Sequence, residues 1–305
     1  MSLPKIYTDE NAARRHLESL LWPDGPYCPH CGNADPSRIH KLAGKSTRPG
    51  VYKCNECEKP FSVTVGTVFE RSHVPLHKWV YAVHLLTASK KGISSHQLMR
   101  MLGVTYKTAW FMSHRIREGM RPASFSPMGG SGKAVEADET YIGRLEGQKE
   151  PGPSSKNMVV TLVERGANAR SFHVNEHSVT SIYPIVLTNI RRESRLMTDK
   201  AAHYRALGQE FAEHGSVAHE RGEYGRGDIH TNTVEGYYSI FKRGMKGIYQ
   251  HCAEKHLHRY LSEFDFRYNN RSALGINDQI RAEKALQGIA GKRLTYRRPH
   301  KAHVN

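Results

Sequence analysis

Long apolar stretches are missing from this 305-residue chain: no run approaches the roughly 18 residues that a membrane-spanning helix needs. The first ten residues, MSLPKIYTDE, also lack the apolar core of a secretory signal peptide. We therefore expect a cytoplasmic protein with no membrane partner. With 38% apolar residues, a chain of this length suits two or three domains rather than one.

Acidic residues are few relative to basic ones. The chain has 29 Asp and Glu against 45 Lys and Arg, a formal charge of +16, with 19 His besides. Such a surplus attracts a polyanion, because each phosphate that a basic side chain neutralises releases a condensed counterion. A ribosome-associated protein or a merely basic soluble protein would share this charge. Charge alone therefore favours nucleic-acid binding without naming the nucleic acid.

Cysteine is scarce as well, with five in the chain, but four of them form two identical pairs, Cys28-Pro-His-Cys31 and Cys54-Asn-Glu-Cys57. Two thiolates two residues apart can reach one ion from a tight turn, and four complete the closed tetrahedral shell of structural Zn²⁺. Unrelated buried or redox-active cysteines are the alternative. The duplicated spacing and the thin apolar content between the pairs favour zinc. Cys252 stands alone and is expected to be half-buried.

The region from His77 to about Met120 has helical periodicity and a helix-turn-helix pattern. Ser94 can cap a short helix, Gly103 permits a sharp turn, and TYKTAWFMSHRIRE predicts the second helix. We expect this second helix to expose five side chains suited to phosphates and base edges, namely Tyr106, Lys107, Ser113, His114 and Arg117. A helical hairpin that only packs against its surroundings is the alternative.

The apolar period changes after residues 122–133, where Gly, Ser and Pro concentrate as in a linker. Three segments with apolar or β-branched runs, KAVEADETYIG, NMVVTLVER and ARSFHVNEH, predict strands that are expected to be antiparallel. A helix, the short strand SRLMTD and further helices follow. This order predicts a mixed α/β fold.

Three carboxylates fall on separate elements of this α/β region. Asp138 lies inside its first predicted strand, Asp199 ends the short strand, and Glu235 follows on a helix after 35 further residues. Three such carboxylates can hold two divalent cations about 3.5–4 Å apart, which activate the nucleophile and stabilise the leaving oxygen. Lys242 shares a helix face with Glu235, because seven residues make about two turns, and it can hold a phosphate.

Several motifs follow the cysteine pairs in a specific order: EADETYIG at 136–143, TD at 198–199, HTNTVEG at 230–236, KRG at 242–244 and FDFRYN at 264–269. With this set, which spans roughly Cys28 to Arg271, the chain resembles the ISXO-like branch of DDE transposases from bacterial insertion sequences. The resemblance implies a ribonuclease H-like core, Mg²⁺ or Mn²⁺, and cut-and-join chemistry without a covalent protein–DNA intermediate. It also implies double-stranded DNA partners (transposon ends and target), a homodimer or larger assembly on DNA, and the bacterial cytosol or nucleoid.

The third acidic position has two candidates. Asn232 lies three residues before Glu235 and shares its helix face, so both can contribute. We favour Glu235, because a carboxylate neutralises Mg²⁺ better than an amide does and because its spacing to Lys242 resembles the common DDE pattern. Lys242 and Arg243 are expected to contact DNA. Supporting roles are open to Glu139, Asp228 and His230.

The predicted fold class is α/β, with a ribonuclease H-like mixed-sheet catalytic domain preceded by a zinc ribbon and a helix-turn-helix region. The predicted boundaries are an N-terminal helix at 1–25, the zinc ribbon at 26–72, the helix-turn-helix DNA-binding region at 73–121, a linker at 122–133, the catalytic domain at 134–290 and a basic C-terminal tail at 291–305. The predicted function is a transposase for an insertion sequence. A ribonuclease H-like nuclease or resolvase that cuts without joining, and a non-catalytic DNA-binding regulator, are the alternatives.

Overall fold

The computed structural model describes residues 3–145, 147, 152, 155–174, 178–218, 222–223 and 225–295. These residues form two compact units. One comprises the described residues of Met1–Ser89, Ile93–Met120 and Asn277–Asn305, and the other those of Lys90–Gly92 and Arg121–Ile276. Within the described ranges, no helix combines the length and the apolar character needed to cross a membrane.

The first unit is mainly helical. Its helices are α1 (Glu10–Leu21), α2 (Leu76–Ala88), α3 (Ser95–Leu102), α4 (Tyr106–Met120) and α9 (Asp278–Gln287). Helix α2 follows a proline and has no cap of its own. Instead, Glu10 of α1 accepts hydrogen bonds from the backbone N–H groups of Leu76 at 2.9 Å and His77 at 3.3 Å. A carboxylate from one helix therefore satisfies the first orphan donors of the next.

The cysteine-rich segment of this unit is a small three-stranded antiparallel sheet of β1 (Ile39–Lys41), β2 (Tyr52–Cys54) and β3 (Pro60–Phe61). Trp22 packs edge-on against both Tyr52 and Phe61, at ring-centroid distances of 5.4 and 5.9 Å. These three rings are the apolar support of a sheet that is too small to bury a core of its own.

The second unit contains a five-stranded mixed sheet with helices on both faces. Its strands are β4 (Ala134–Ile142), β5 (Asn157–Glu164), β6 (Ala169–Val174), β7 (Arg195–Asp199) and β8 (Glu213–Val217), in the order β6-β5-β4-β7-β8. Strands β4, β5 and β6 are antiparallel, as predicted, while β7 and β8 run parallel to β4. The mixed sheet confirms the predicted α/β class and is consistent with a ribonuclease H-like domain.

Two apolar cores hold the helices to the sheet. One face packs against α5 (Val179–Asn189) and α6 (Ala202–Gly208), and the other against α7 (Asn232–Gly244) and α8 (Leu257–Asn269). On the second face, Val234 and Phe241 of α7 are fully buried beside Val159 and Val163 of β5. This core fixes α7 over the centre of the sheet.

The FDFRYN segment attaches α8 to strand β6, which has no strand partner on its outer side among the described residues. The Asn269 side chain accepts from the backbone N–H of Ala169 at 2.6 Å and donates to its carbonyl at 2.9 Å. Asp265 accepts from the backbone N–H of Ser171 at 2.8 Å. The motif thus satisfies backbone groups that an edge strand leaves unpaired.

The compact units do not follow the predicted domain boundaries at two places. The proposed linker at 122–133 belongs to the α/β unit, because Met128 is buried there and bridges to Ile190. The proposed catalytic boundary at 290 is too late, because α9 packs against α2 and buries Ala285 and Leu286 in the helical unit. Residues 296–305 of the proposed tail and 175–177 of the third predicted strand lie outside the described residues.

Candidate functional site

Asp138 and Asp199 lie side by side on neighbouring parallel strands. The last paired residues of β4 and β7 are Glu136 and Met197, and each aspartate comes two residues later on its strand. Alternation along a strand then places both side chains on the sheet face covered by α7. Both aspartates are half-buried, and the Asp199 carboxylate also accepts a hydrogen bond from the backbone N–H of Ala201 at 3.0 Å.

Helix α7 brings Glu235 to the same face of the sheet. The Tyr238 hydroxyl, one turn further along α7, donates to the backbone carbonyl of Asp138 at 2.5 Å and ties the helix directly to the strand. Glu235 itself is exposed, and one of its carboxylate oxygens accepts from the Thr231 hydroxyl at 3.0 Å. Asn232 is the first residue of α7 and is also exposed.

The pKa of Asp138 is affected by the carboxylates that surround it. The pKa of Asp138 is raised from 3.8 to about 7, mainly by burial and also by the negative charges of Glu139, Asp199 and Glu235. The backbone N–H of Glu139 acts in the opposite direction. The site therefore concentrates negative charge that a nearby cation would relieve.

Hard oxygen donors of this kind suit Mg²⁺ or Mn²⁺. The chemistry of the three carboxylates fits such ions, but their oxygens do not all lie close together. Within the described residues, only the four paired cysteines form a group of three or more possible metal ligands within 4.8 Å of one another. A metal bound here would have to draw the carboxylates closer.

Lys242 and Arg243 lie at the other end of α7. Lys242 is half-buried, and its ammonium group lies 5.8 Å from the centre of the Tyr238 ring. It is therefore beside the tyrosine that donates a hydrogen bond to the Asp138 carbonyl. Arg243 is exposed and folds back on its own helix, where it donates to the Ser239 carbonyl at 3.0 Å and to its hydroxyl at 2.8 Å.

The three residues considered for supporting roles, Glu139, Asp228 and His230, make different contacts. Glu139 accepts a hydrogen bond from the buried Tyr204 hydroxyl of α6. Asp228 forms an ion pair with Arg195 at 2.6 Å, and that pairing lowers the pKa of Asp228. His230 lies 3.1 Å from Arg165, a residue that the sequence interpretation did not select.

The four paired cysteines meet at one point in the helical unit. Sγ atoms are 3.6 Å apart for Cys28 and Cys57 and 3.7 Å apart for Cys31 and Cys54. A tetrahedral zinc site with bonds of about 2.3 Å requires sulfur–sulfur separations of about 3.8 Å. The geometry therefore fits the predicted four-sulfur site. Cys252 is half-buried, as expected.

Helices α3 and α4 pack together on either side of a turn at Gly103, but much of the face predicted to be exposed on α4 is buried. Ser94 caps α3 by accepting from the backbone N–H of Gln97, and Gly103 adopts the left-handed conformation between the helices. Tyr106 is 45% exposed and Lys107 is exposed. The remaining three side chains are only 1% exposed: Ser113, His114 and Arg117.

The exposure predicted for these three residues is therefore wrong. Helix α4 packs against α2, α3 and also α9, which comes from the far end of the chain. The approach is so close that a side chain at Gly119 would meet Ile289 at 2.9 Å. Local periodicity cannot show that a distant segment covers a helix. Among the five side chains predicted on this helix, only Tyr106 and Lys107 of its first turn remain candidates for contact with DNA.

Comparisons with known proteins match both units. Residues 130–269 match the family model of the ISXO2-like transposase domain, and residues 8–60 match that of the transposase zinc-ribbon domain. An uncharacterized protein in transposable element ISH50 of Halobacterium salinarum is 29% identical over 284 residues, which cover 86% of this chain and 92% of that protein.

A chain in the cryo-EM structure of the simian T-cell lymphotropic virus intasome in complex with PP2A regulatory subunit B56 gamma aligns over 55% of this chain and 63% of its own length. The TM-score is 0.28 and the identity 10%, which is too low to support an argument. The two family matches and the transposable-element relative agree with the order of motifs and with the fold: residues 130–269 are similar to the ISXO2-like transposase domain, and residues 8–60 to the transposase zinc-ribbon domain.

Proposed function

We propose that the chain is an active transposase that cuts and joins DNA at one site formed by Asp138, Asp199 and Glu235. The observation that supports this best is their convergence on one face of the sheet from three separate elements. Asp199 and Glu235 are close enough to raise the pKa of Asp138. Among DDE-type enzymes, such a cluster serves phosphodiester chemistry rather than structure, because repelling carboxylates are unfavourable without cations.

In this proposal the three carboxylates hold two Mg²⁺ or Mn²⁺ ions. Bound ions would activate a water or a 3′-hydroxyl and stabilise the leaving oxygen. The protein orients its ligands from rigid elements: Asp138 and Asp199 from neighbouring strands, and Glu235 from a helix anchored through Tyr238. Asn232, on the first turn of the same helix, would be an additional ligand or a contact to DNA.

Lys242 and Arg243 would hold the DNA backbone beside the site. They begin a basic stretch at 242–259 that also contains Lys246, Lys255 and Arg259 but a single acidic residue, Glu254. The five basic side chains are exposed or half-buried. A surface of this composition suits phosphates, whose neutralisation makes binding strongly dependent on salt.

Sequence-specific contact with the transposon ends is proposed for the first turn of α4. Recognition helices contact base edges mainly through their N-terminal residues, and Tyr106 and Lys107 begin α4 with exposed side chains. The His96 ring of α3 packs against the Tyr106 ring in a tilted arrangement, at a ring-centroid distance of 4.4 Å, and this contact orients the tyrosine. Structural Zn²⁺ bound by the four paired cysteines would support the neighbouring ribbon.

We expect Lys107→Ala to weaken binding to transposon ends and to lower the slope of log affinity against log salt by about one, as for the loss of one phosphate contact. Tyr106→Ala should instead weaken binding to matched ends more than binding to unrelated DNA. Fluorescence anisotropy over a range of salt concentrations measures both effects. Lys5→Ala, an exposed lysine of the same unit, is the matched control. Equal effects of all three substitutions would place recognition elsewhere.

Strand transfer separates this function from its alternatives. Purified protein is incubated with Mg²⁺, a labelled DNA end of its own element and a supercoiled target plasmid. A transposase, acting as a dimer or larger assembly that pairs two ends, should join the cut ends to the plasmid. Cutting without joining would indicate a nuclease or resolvase. Binding without cutting would indicate a regulator.

A further inference from the structure

The EADE motif contains a carboxylate whose position excludes a role as a metal ligand. Glu136 lies on β4, two residues before Asp138, and its side chain is fully buried. One of its oxygens accepts from the backbone N–H groups of Thr233 at 2.8 Å and Val234 at 2.9 Å. The other accepts from the Thr233 hydroxyl at 2.8 Å and from Arg165 at 2.7 Å. Both oxygens are thus occupied by the protein itself.

These contacts provide hydrogen-bond acceptors for backbone N–H groups at the start of helix α7. The first N–H groups of a helix have no partner within it and carry the positive end of the helix dipole. The residue at the N-cap, Thr231, makes no capping hydrogen bond, and its hydroxyl donates to Glu235 instead. Glu136 therefore caps α7 from the neighbouring strand, in place of a local cap.

Arg165 completes the connection between the sheet and the segment that leads into α7. It directly follows β5 and binds Glu136 through its Nε atom. Its two other nitrogens donate to the backbone carbonyls of Asp228 at 2.7 Å and His230 at 2.9 Å. Its Nη2 atom also lies 3.1 Å from the His230 ring. One guanidinium thus joins the buried carboxylate to the loop before the helix.

We propose that Glu136 and Arg165 are positioning residues for the first turn of α7. They fix the rotation of this turn about the helix axis and its distance from the sheet. In this way they determine the position of Glu235 relative to Asp138 and Asp199. Glu136 is covalently joined to Asp138 by one intervening residue and hydrogen-bonded to the residue before Glu235. The strand aspartate and the helix carboxylate are thus joined through Glu136, in addition to the hydrogen bond from Tyr238 to the Asp138 carbonyl. The inference rests on the proposed metal-dependent function of those three carboxylates.

The test uses full-length variants and Mn²⁺ as the probe. Glu136→Gln keeps the shape but has one acceptor oxygen, so its amide N–H₂ must face either the helix N–H groups or Arg165. We expect Mn²⁺ affinity, measured by electron paramagnetic resonance without DNA, to fall about 10- to 100-fold, with cleavage falling in parallel, as for the loss of partners that orient metal ligands. Amide hydrogen exchange at Thr233 and Val234 should accelerate selectively.

Two further variants keep the result interpretable. Arg165→Met removes the other half of the same connection, so it should also reduce Mn²⁺ affinity, and it can replace Glu136→Gln if that variant folds poorly. Asp265→Asn is the control, because this half-buried carboxylate ties α8 to β6 and contacts α7 through the Tyr237 hydroxyl, beyond the first turn that Glu136 caps. It should lower thermal stability while leaving Mn²⁺ affinity near that of the wild type.

Wild-type Mn²⁺ affinity in both Glu136→Gln and Arg165→Met would overturn the inference, as would an equal loss of affinity in Asp265→Asn. Failure of the wild type itself to bind Mn²⁺ would instead refute the proposed function on which the inference rests. The two failures are therefore distinguishable.

Discussion

Replacement of any of Asp138, Asp199 and Glu235 by alanine should abolish DNA cleavage while binding to transposon ends persists. Two divalent ions in one site need several anionic ligands, and the loss of one both weakens metal retention and misplaces the nucleophile. The loss should therefore exceed the roughly 10- to 100-fold cost of removing a partner that only orients a ligand. Cleavage of a labelled end in Mg²⁺, with binding measured in parallel, gives both quantities.

Unfolding should not explain that loss. Burial and neighbouring carboxylates raise the pKa of Asp138 to about 7, so its charge is unfavourable in the folded protein without a cation. Asp138→Ala should consequently retain the thermal stability of the metal-free wild type. A marked drop in its melting temperature would mean that the carboxylate has a structural role instead.

Asn232→Ala and Lys242→Ala are the discriminating controls for Glu235→Ala. Asn232 and Glu235 are both exposed on the first turns of α7, so their positions do not decide which of them is the third metal ligand. We expect a milder defect for Asn232→Ala, and for Lys242→Ala a reduced rate or grip on DNA without loss of metal binding. Normal cleavage by Glu235→Ala together with inactive Asn232→Ala would transfer the third ligand position to Asn232.

Loss of the proposed zinc should unfold the ribbon. Its three strands contain only eight residues, and its apolar support is one cluster of aromatic rings, so we expect metal binding to supply most of its folding free energy. For small zinc domains this term is on the order of 10 kcal/mol. Metal analysis should find about one zinc ion per chain in the wild type, and Cys54→Ser should remove it.

Limited proteolysis provides the second measurement on the same protein. In Cys54→Ser the segment around residues 28–61 should become sensitive, while the α/β unit remains resistant. Cys252→Ser is the matched control, because this cysteine belongs to the α/β unit and is not a member of the four-sulfur cluster. Unchanged metal content and protease resistance in Cys54→Ser would refute the zinc site.

Local patterns predicted most helices and strands because their signals lie within each segment. The apolar runs of β4 and β5 and the Ser94–Gly103 signals are of this kind. Strand β8 was missed, because in Glu213–Val217 only Gly215 and Val217 are buried and the segment has no apolar alternation. Helix α9 was assigned to the wrong unit, because its partner α2 lies nearly 200 residues earlier in the chain.

In the candidate site, too, local sequence patterns predicted some residues and missed those whose roles depend on contacts between distant segments. Asp138, Asp199 and Glu235 could be selected from strand ends, spacing and resemblance, and the structure brings them to one face of the sheet. The sequence pattern contains Glu136 only as part of the EADETYIG motif, without a role of its own, and it gives no signal for Arg165. Their roles arise from hydrogen bonds between residues about 30 and 100 positions apart, which no local pattern reveals.

The most direct measurement is the joining of pre-cleaved transposon ends, with free 3′-hydroxyl groups, to a supercoiled plasmid in Mg²⁺ by the wild type and by Asp199→Ala. This assay bypasses cleavage and isolates the second step at the proposed single active site. The account predicts joined products with the wild type and none with Asp199→Ala, although both bind the ends equally. Joining by Asp199→Ala at the wild-type rate, or no joining by a wild type that cleaves, would contradict it.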